Sequence, residues 1–522
     1  MNLDNLDVDY LLVNTTNEFL LEYAPIEENS CHNLTGFTGD TGDSLWCKNG
    51  KTKLFVDGRY HTQADLEVNH DKVDVIKLKL TEKQDDLICF SVKPNSTLGI
   101  VTKKVSQSRF EYLKTLLNET NVKIIPLKND VFEKPYSKPK AKAEKISINI
   151  SGASFSDKIS CLEKPALFTN SEEITYLTNL RDFSQDCAVK IDGKLLVLND
   201  KNILFTDTII EDKTEFEVLP LASFDEYINK IEDKIIVDKL SINAYDYSLI
   251  KNPVPQTSQV KLMKSVKNKS ELDHMKYCFR MTDKALFETR RFIEENDNIS
   301  EYDIDKELTK NFKKYGAKSH SFTSIVARNK NSALAHYMKS SKDEIIKEGD
   351  LILIDCGAYY EGGLATDITR VFVKGKPSDL QKRVYTTVLK MFLNAFNYQV
   401  TEGVTTGYEI DGFVHEYLEK NRVDNFVFSH GLGHGVGICV HETPPNLSRR
   451  EIAKTPLLNN MCFTIEPGLY SEDNFGVRLE NSCYLENGII KSFSNMCYEK
   501  KLIDYNMLSD IEKEWLSDFE VV

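Results

Sequence analysis

Between residues 350 and 373 the chain reads DLILIDCGAYYEGGLATDITRVFV, two apolar runs either side of a glycine-bearing stretch. Short apolar runs bounded by turn residues predict strands buried on both faces, and two in succession predict a hairpin. MCFTIEPGLY (461–470) and FGVRLENSCYL (475–485) repeat the pattern as a second strand, turn and strand. Upstream, TKLFVDGRY (52–60) predicts a strand closing on a turn, and SQSRFEYLKTLL (106–117) has the 3.6-residue period of an amphipathic helix. A strand at PALFTN (165–170), a helix at EEITYLTNLR (172–181) and a hairpin from KLLVLND and NILFTD follow. The proline-bearing stretch 252–277 leads into a long amphipathic helix, whereas SFTSIVARNKNSALAHYMKSS (321–341) reads as a loop. The pattern is α/β throughout.

At 522 residues the chain exceeds what one core holds. EKPYSKPKAKAEK (133–145) has prolines and many lysines but almost no large apolar side chains, as a solvated linker does. A boundary there and another before the long helix divide the chain into 1–139, 140–261 and 262–522. A charge of −14 disfavours binding to nucleic acid or to an anionic membrane. The first residues carry acids where an export signal has a basic flank, and no apolar run reaches the 18 residues or so of a membrane span. The 11 cysteines are scattered without CxxC pairs, which fits reduced thiols. A cytoplasmic protein is expected.

The chemistry sits in the last third. Asp355, Asp367, Glu466 and Glu480 flank apolar strands, where an uncompensated carboxylate would be costly. Arg370 and Arg478 are candidate ion-pair partners. HGLGHGVGICVHE (430–442) holds His430, His434 and His441 among alternating glycines that permit close backbone approach; the glycines do not form a dinucleotide fingerprint opening a helix. Four carboxylates and one imidazole (Asp355, Asp367, His434, Glu466 and Glu480) suit two divalent ions of the manganese, cobalt, iron or zinc kind, and hence hydrolysis.

These residues resemble the creatinase/aminopeptidase fold of the methionine aminopeptidase clan, and within it the three-domain Xaa-Pro aminopeptidases (aminopeptidase P). The resemblance rests on SFTSIVARNKNSALAHY, DCGAYYEGGLATDITR, HGLGHGVGICVHE, TIEPGLY and GVRLEN, in family order. It extends to LTGFTGDTGDSLWCKNGKTKLFVDGRYHTQA (34–64), EEITYLTNLRD (172–182) and LSDIEKEWLSDF (508–519). It implies two small α/β domains of similar creatinase-like topology before a C-terminal pita-bread metallopeptidase domain. Carried over, the metal ligands are Asp355, Asp367, His434, Glu466 and Glu480, holding two divalent ions, with manganese favoured and cobalt, zinc and iron open. The implied reaction hydrolyses the N-terminal X-Pro bond of peptides through a metal-bridging hydroxide. Glu466 shuttles the proton, His441 with His336 stabilises the oxyanion, His430 lines the proline pocket and Arg478 supports the ligands. Peptides with proline at position 2 are the implied substrates, and a homodimer the implied assembly. The segment from His434 to His441 is shorter than in typical three-domain members and has the length found in prolidases and two-domain bacterial aminopeptidases P, and HETPP replaces the usual HEGP. A prolidase is therefore the alternative within this chemistry, and a non-catalytic pita-bread binding module the alternative outside it.

Overall fold

The computed structural model describes residues 7–79, 81–135 and 140–522. The expected boundary at 139/140 adjoins residues 136–139, outside the described residues. Two compact units emerge among the described residues, one from 7–79, 81–135, 140–144, 155–180 and 190–259, the other from 145–154, 181–189 and 260–522.

The first unit contains two six-stranded sheets. β1 (Tyr10–Val13), β2 (Asp43–Cys47), β3 (Thr52–Val56), β4 (Val73–Lys77), β5 (Thr97–Val101) and β6 (Lys123–Leu127) lie in the order β4-β3-β2-β1-β5-β6. β7 (Ala166–Phe168), β8 (Lys194–Val197), β9 (Asn202–Phe205), β10 (Glu217–Leu219), β11 (Ile235–Val237) and β12 (Pro253–Pro255) lie in the order β10-β9-β8-β7-β11-β12. Counted along the chain, both orders are 4-3-2-1-5-6. The pairings also match, antiparallel through the first three strands of each set and parallel outside them. The repeated topology expected from the sequence is therefore present, as are the hairpin of β8 with β9 and the helix Gln107–Leu117, capped by Ser106. The helix expected over 172–181 instead spans Ser171–Thr178. Asn179 takes a left-handed φ of 58°, a C-cap conformation that asparagine tolerates, and Leu180–Asp182 is extended.

In the second unit, α1 (Lys269–Glu295) and α2 (Glu301–Lys314) precede a three-stranded sheet, β13 (Ile325–Arg328), β14 (Leu351–Cys356) and β15 (Ile368–Val373), in the order β13-β14-β15. The plan then recurs: α3 (Asp379–Phe396) and α4 (Gly407–Lys420) precede β16 (Gly433–Gly435), β17 (Glu442–Leu447), β18 (Cys462–Ile465), β19 (Gly468–Tyr470), β20 (Gly476–Arg478), β21 (Asn481–Glu486) and β22 (Ile489–Ser492). Five of these form the sheet β17-β16-β18-β21-β22. All four helices begin with capping boxes, opened by Asn268, Ser300, Ser378 and Thr406. Residues 325–328, read as loop, are β13: Val326 packs with the α1 and α2 core, while Ile325 and Ala327 face the α3 side. β14 divides its side chains the same way, Leu351 and Leu353 to one core and Ile352 and Ile354 to the other. A sheet covered on both faces needs an uninterrupted apolar run, and LILI is that run.

Candidate metal centre

The strand pairs bring the acids together. β14 and β15 run antiparallel with Asp355 opposite Thr369, and Asp367 lies one residue before β15. In the second sheet Ile465 of β18 pairs with Asn481 of β21, so Glu466 and Glu480 follow as the next opposed pair. The simple hairpin expected here is broken at these glutamates: β19 and β20 pair in a separate two-stranded sheet. Pro467 has no N–H to continue the ladder, so the chain turns where Glu466 and Glu480 stand. His434 lies on β16, beside a register shift at Gly435. Gly433 is required here, because a Cβ would lie 2.0 Å from the Thr464 carbonyl oxygen.

Ligating atoms of Asp367, His434 and Glu480 lie within 4.8 Å of one another. His434 Nε2 is 3.6 Å from Asp367 Oδ2 and 3.4 Å from Glu466 Oε1. Asp355 joins through Arg478, whose Nη2 donates to Asp355 Oδ2 at 2.6 Å. Arg478 also donates to the Tyr470 hydroxyl at 2.7 Å and to Thr369 Oγ1 at 3.2 Å, and Thr369 donates to Glu480 Oε2 at 2.8 Å. Arg370, the other candidate partner, pairs with no carboxylate side chain among the described residues. It donates to the carbonyls of Thr369, Glu480, Met496 and Cys497 and to Asn481 Oδ1, and so fixes the backbone on either side of the site.

Three observations test whether these residues fit cations. Asp355 Oδ1 and Glu480 Oε1 are buried without a hydrogen-bond partner among the described residues, although buried polar atoms are normally satisfied. Burial pushes the Asp367 carboxyl well above its usual range, and the charges of Glu480, Asp355 and Glu466 push it further against the pull of Arg478. Burial likewise raises Glu480, followed by Glu466 and Asp355. The third observation is a tautomer. His434 Nδ1 lies 3.0 Å from the Gly435 carbonyl, which only accepts, so the proton belongs on Nδ1. Nε2 then turns a lone pair toward two carboxylates. That crowding is unfavourable alone and becomes favourable around a cation, so the donor set fits.

The remaining histidines surround this cluster. The His441 ring lies edge-on to His434, with centroids 4.4 Å apart. His430 contacts Gly431 O through Nδ1 at 2.8 Å and the Tyr470 hydroxyl through Nε2 at 2.8 Å. Because the Gly431 carbonyl only accepts, the His430 proton is on Nδ1, and Nε2 accepts from the Tyr470 hydroxyl. His336 occupies the turn after the 3₁₀ helix Asn329–Ala333. That helix is tied to β20, which carries Arg478, by reciprocal hydrogen bonds between Ser332 and Gly476 of 2.9 and 3.0 Å. Sequence reasoning missed Tyr470 and Thr369, which link Arg478 to the other groups. It also missed Asp411, which accepts from the Leu432 N–H at 3.0 Å between His430 and His434. The tyrosine of EPGLY was the visible signal; nothing in the sequence pointed to Asp411.

Residues 273–487 match the model of metallopeptidase family M24. Along the whole chain, a probable Xaa-Pro aminopeptidase P of Laccaria bicolor is 26% identical, the match spanning 93% of this chain and 83% of that protein. The solved X-prolyl aminopeptidase of Caenorhabditis elegans, described as a cytosolic enzyme with a di-nuclear active site, superposes with a TM-score of 0.90 at 21% identity, covering 99% of this chain and 91% of that one. An Xaa-Pro dipeptidase from Bacillus anthracis, 27% identical, reaches a TM-score of 0.54 and covers 64% of this chain and 93% of its own. Residues 273–487, which hold every acid and imidazole of the cluster, thus match metallopeptidase family M24.

Proposed function

We propose that this chain is a dinuclear metalloaminopeptidase that removes the N-terminal residue from peptides with proline at position 2. The observation that carries the reading is the convergence of Asp367, His434, Glu466 and Glu480, with Asp355 tied in through Arg478 and buried carboxylate oxygens left for cations. These five residues would hold two divalent ions, manganese being our choice among manganese, cobalt, iron and zinc on the hard oxygen donors. When bound, the ions supply Lewis acidity and an activated water.

The chain's own residues supply the rest. Glu466 is the most open of the four carboxylates, its side chain 18% exposed against 13% for Asp355 and 5% for Asp367, so it can take the water proton and deliver it to the leaving proline nitrogen. We assign His441, whose ring lies edge-on to that of His434, the role of donor to the developing oxyanion, and give His336 the same task. The Phe428 ring meets the His430 ring edge-on at 5.0 Å, and together they offer an apolar wall to a proline ring. Arg478 holds Asp355 and Thr369 in place. A tertiary X-Pro amide lacks an N–H, so a peptidase that grips an extended backbone fits it poorly and a dedicated site is chemically reasonable.

We divide the chain into 1–139, 140–261 and 262–522, a reading supported by two sheets of one topology before residue 262. This domain content favours longer peptides over the dipeptides of a prolidase, since the dipeptidase match leaves about a third of the chain uncovered while the aminopeptidase match spans nearly all of it. The eleven free cysteines support a cytoplasmic setting, and among the described residues no helix is long and apolar enough to cross a membrane. A homodimer is our proposal for its assembly. The test is kcat/KM for Xaa-Pro-Xaa peptides beside Xaa-Pro dipeptides. Comparable or higher values for the longer peptides support the aminopeptidase; activity confined to dipeptides makes the protein a prolidase.

A further inference from the structure

Donating to an oxyanion demands a defined imidazole direction, and the short segment that bears His441 is held from two sides. On one side, the Ala365 N–H donates to Gly437 O at 2.7 Å and the Tyr359 hydroxyl donates to Ile438 O at 2.9 Å, which ties the segment to the loop leading into Asp367. On the other side stands a buried charge cluster. Glu442, the residue after His441, is 1% exposed; Lys264 Nζ lies 2.9 Å from its Oε1 and Lys267 Nζ donates to its Oε2 at 2.5 Å. Lys267 Nζ also donates to the Lys264 carbonyl at 2.6 Å, and its own N–H donates to Asn460 O at 3.0 Å, so the cations are themselves anchored.

Three buried charges are a poor way to gain stability, because an apolar cluster of the same volume is commonly as stable or more so. What an ion cluster offers instead is direction. Glu442 opens β17 and His441 is the bend residue immediately before it, so holding Glu442 on the lysines fixes the backbone from which the imidazole projects. The fit is close: a Cβ on Gly437 would lie 1.9 Å from Glu442 Oε2 and 2.8 Å from Lys267 Nζ, and glycine alone leaves the carboxylate its place. We propose that Lys264, Glu442 and Lys267 form a positioning clamp for catalysis, which sets the His441 imidazole against His434 without touching substrate or metal. The clamp rests on the function proposed above, and deepens it by naming what directs the oxyanion donor.

The test is a double-mutant cycle on the metal-loaded full chain, with Glu442→Gln, His441→Ala and the two combined, read on an Xaa-Pro-Xaa peptide together with metal content. Glu442→Gln should lower kcat by about 10- to 100-fold, the range typical of groups that orient a site, with KM and metal content unchanged. In the His441→Ala background the same change should cost almost nothing, since its effect passes through an imidazole already gone. Should Glu442→Gln fail to fold, Gly437→Ala displaces the carboxylate without altering any charge and should give the same signature. Equal losses in both backgrounds, loss of metal, or an unchanged kcat overturn the clamp in an enzyme that otherwise works. A wild type that cleaves no Xaa-Pro peptide overturns the function and the clamp together.

Discussion

A single methyl group at Gly357 should disable the metal centre while leaving most of the fold in place. Gly357 lies two residues after Asp355, and Thr366, across the strand pair, lies one before Asp367. A Cβ at Gly357 would stand 1.9 Å from the Thr366 carbonyl oxygen and 2.3 Å from Ser321 Oγ. Restoring an ordinary contact of about 3.4 Å requires the two chains to part by roughly 1.5 Å, because the obstacle is backbone and cannot rotate away. Overpacking of this kind costs about 1–3 kcal/mol in stability. Its effect on the site should be larger, since metal–ligand distances tolerate only about 0.2 Å and a misplacement of about 1 Å can cost on the order of 100-fold in rate. Gly316→Ala is the control: a Cβ there would meet no heavy atom within 4 Å, although the φ of +89° makes alanine cost about 1–2 kcal/mol. Metal content and kcat on an Xaa-Pro-Xaa peptide should fall for Gly357→Ala and hold for Gly316→Ala. Wild-type metal content and rate in Gly357→Ala, or equal losses in both variants, refute the reasoning.

Asp367→Asn or Glu480→Gln should abolish turnover and metal retention while circular dichroism stays near wild type, because each removes a ligand charge but leaves its strand pair intact; normal metal content and activity would remove that residue from the ligand set. His441→Ala should lower kcat by about 100- to 1,000-fold with metal retained, the typical loss of one oxyanion donor, whereas metal loss at unchanged kcat would exchange its role with that of His434. Burial pushes the Asp411 carboxyl up to about 7, against the pull of the Leu432 N–H and Arg449. Its folded value exceeds the unfolded one, so the stability it contributes is complete at pH values below about 4 and is lost as pH rises through about 7. Asp411→Asn keeps an acceptor for Leu432 and cannot ionise, and it should therefore gain about 4 kcal/mol on wild type between about pH 4 and pH 7 in unfolding measurements; a difference that is flat with pH contradicts this.

Much of the site could be read in the sequence because its acids interrupt apolar strands, where the energetic cost of a bare carboxylate makes each one conspicuous. LILID and FTIEPG carried that signal, and both strand pairs formed. The break of the second pair at Pro467 was also written in the chain, since proline cannot extend a ladder. Other features depend on partners far apart in sequence. Lys267 and Glu442 stand 175 positions apart and give no local pattern, and Lys264 and Lys267 are unmarked lysines of the stretch 252–277 until the fold buries them. Arg370 looked like a partner for the acids but serves carbonyls, because its side chain points beneath the strand ends toward Met496 and Cys497. β13 escaped notice since four strand residues run straight into a polar 3₁₀ turn.

Cleavage by this protein should depend on metal and require proline in the second position. Mass spectrometry of the products from one Xaa-Pro-Xaa peptide and its Xaa-Ala-Xaa analogue, with protein before and after chelation and after a divalent ion is restored, tests both requirements most directly. The proline peptide should release its single N-terminal residue, lose that product on chelation and regain it with the ion, while the alanine analogue is cleaved far more slowly. Equal cleavage of both peptides, or cleavage that persists in the fully chelated protein, would contradict these requirements.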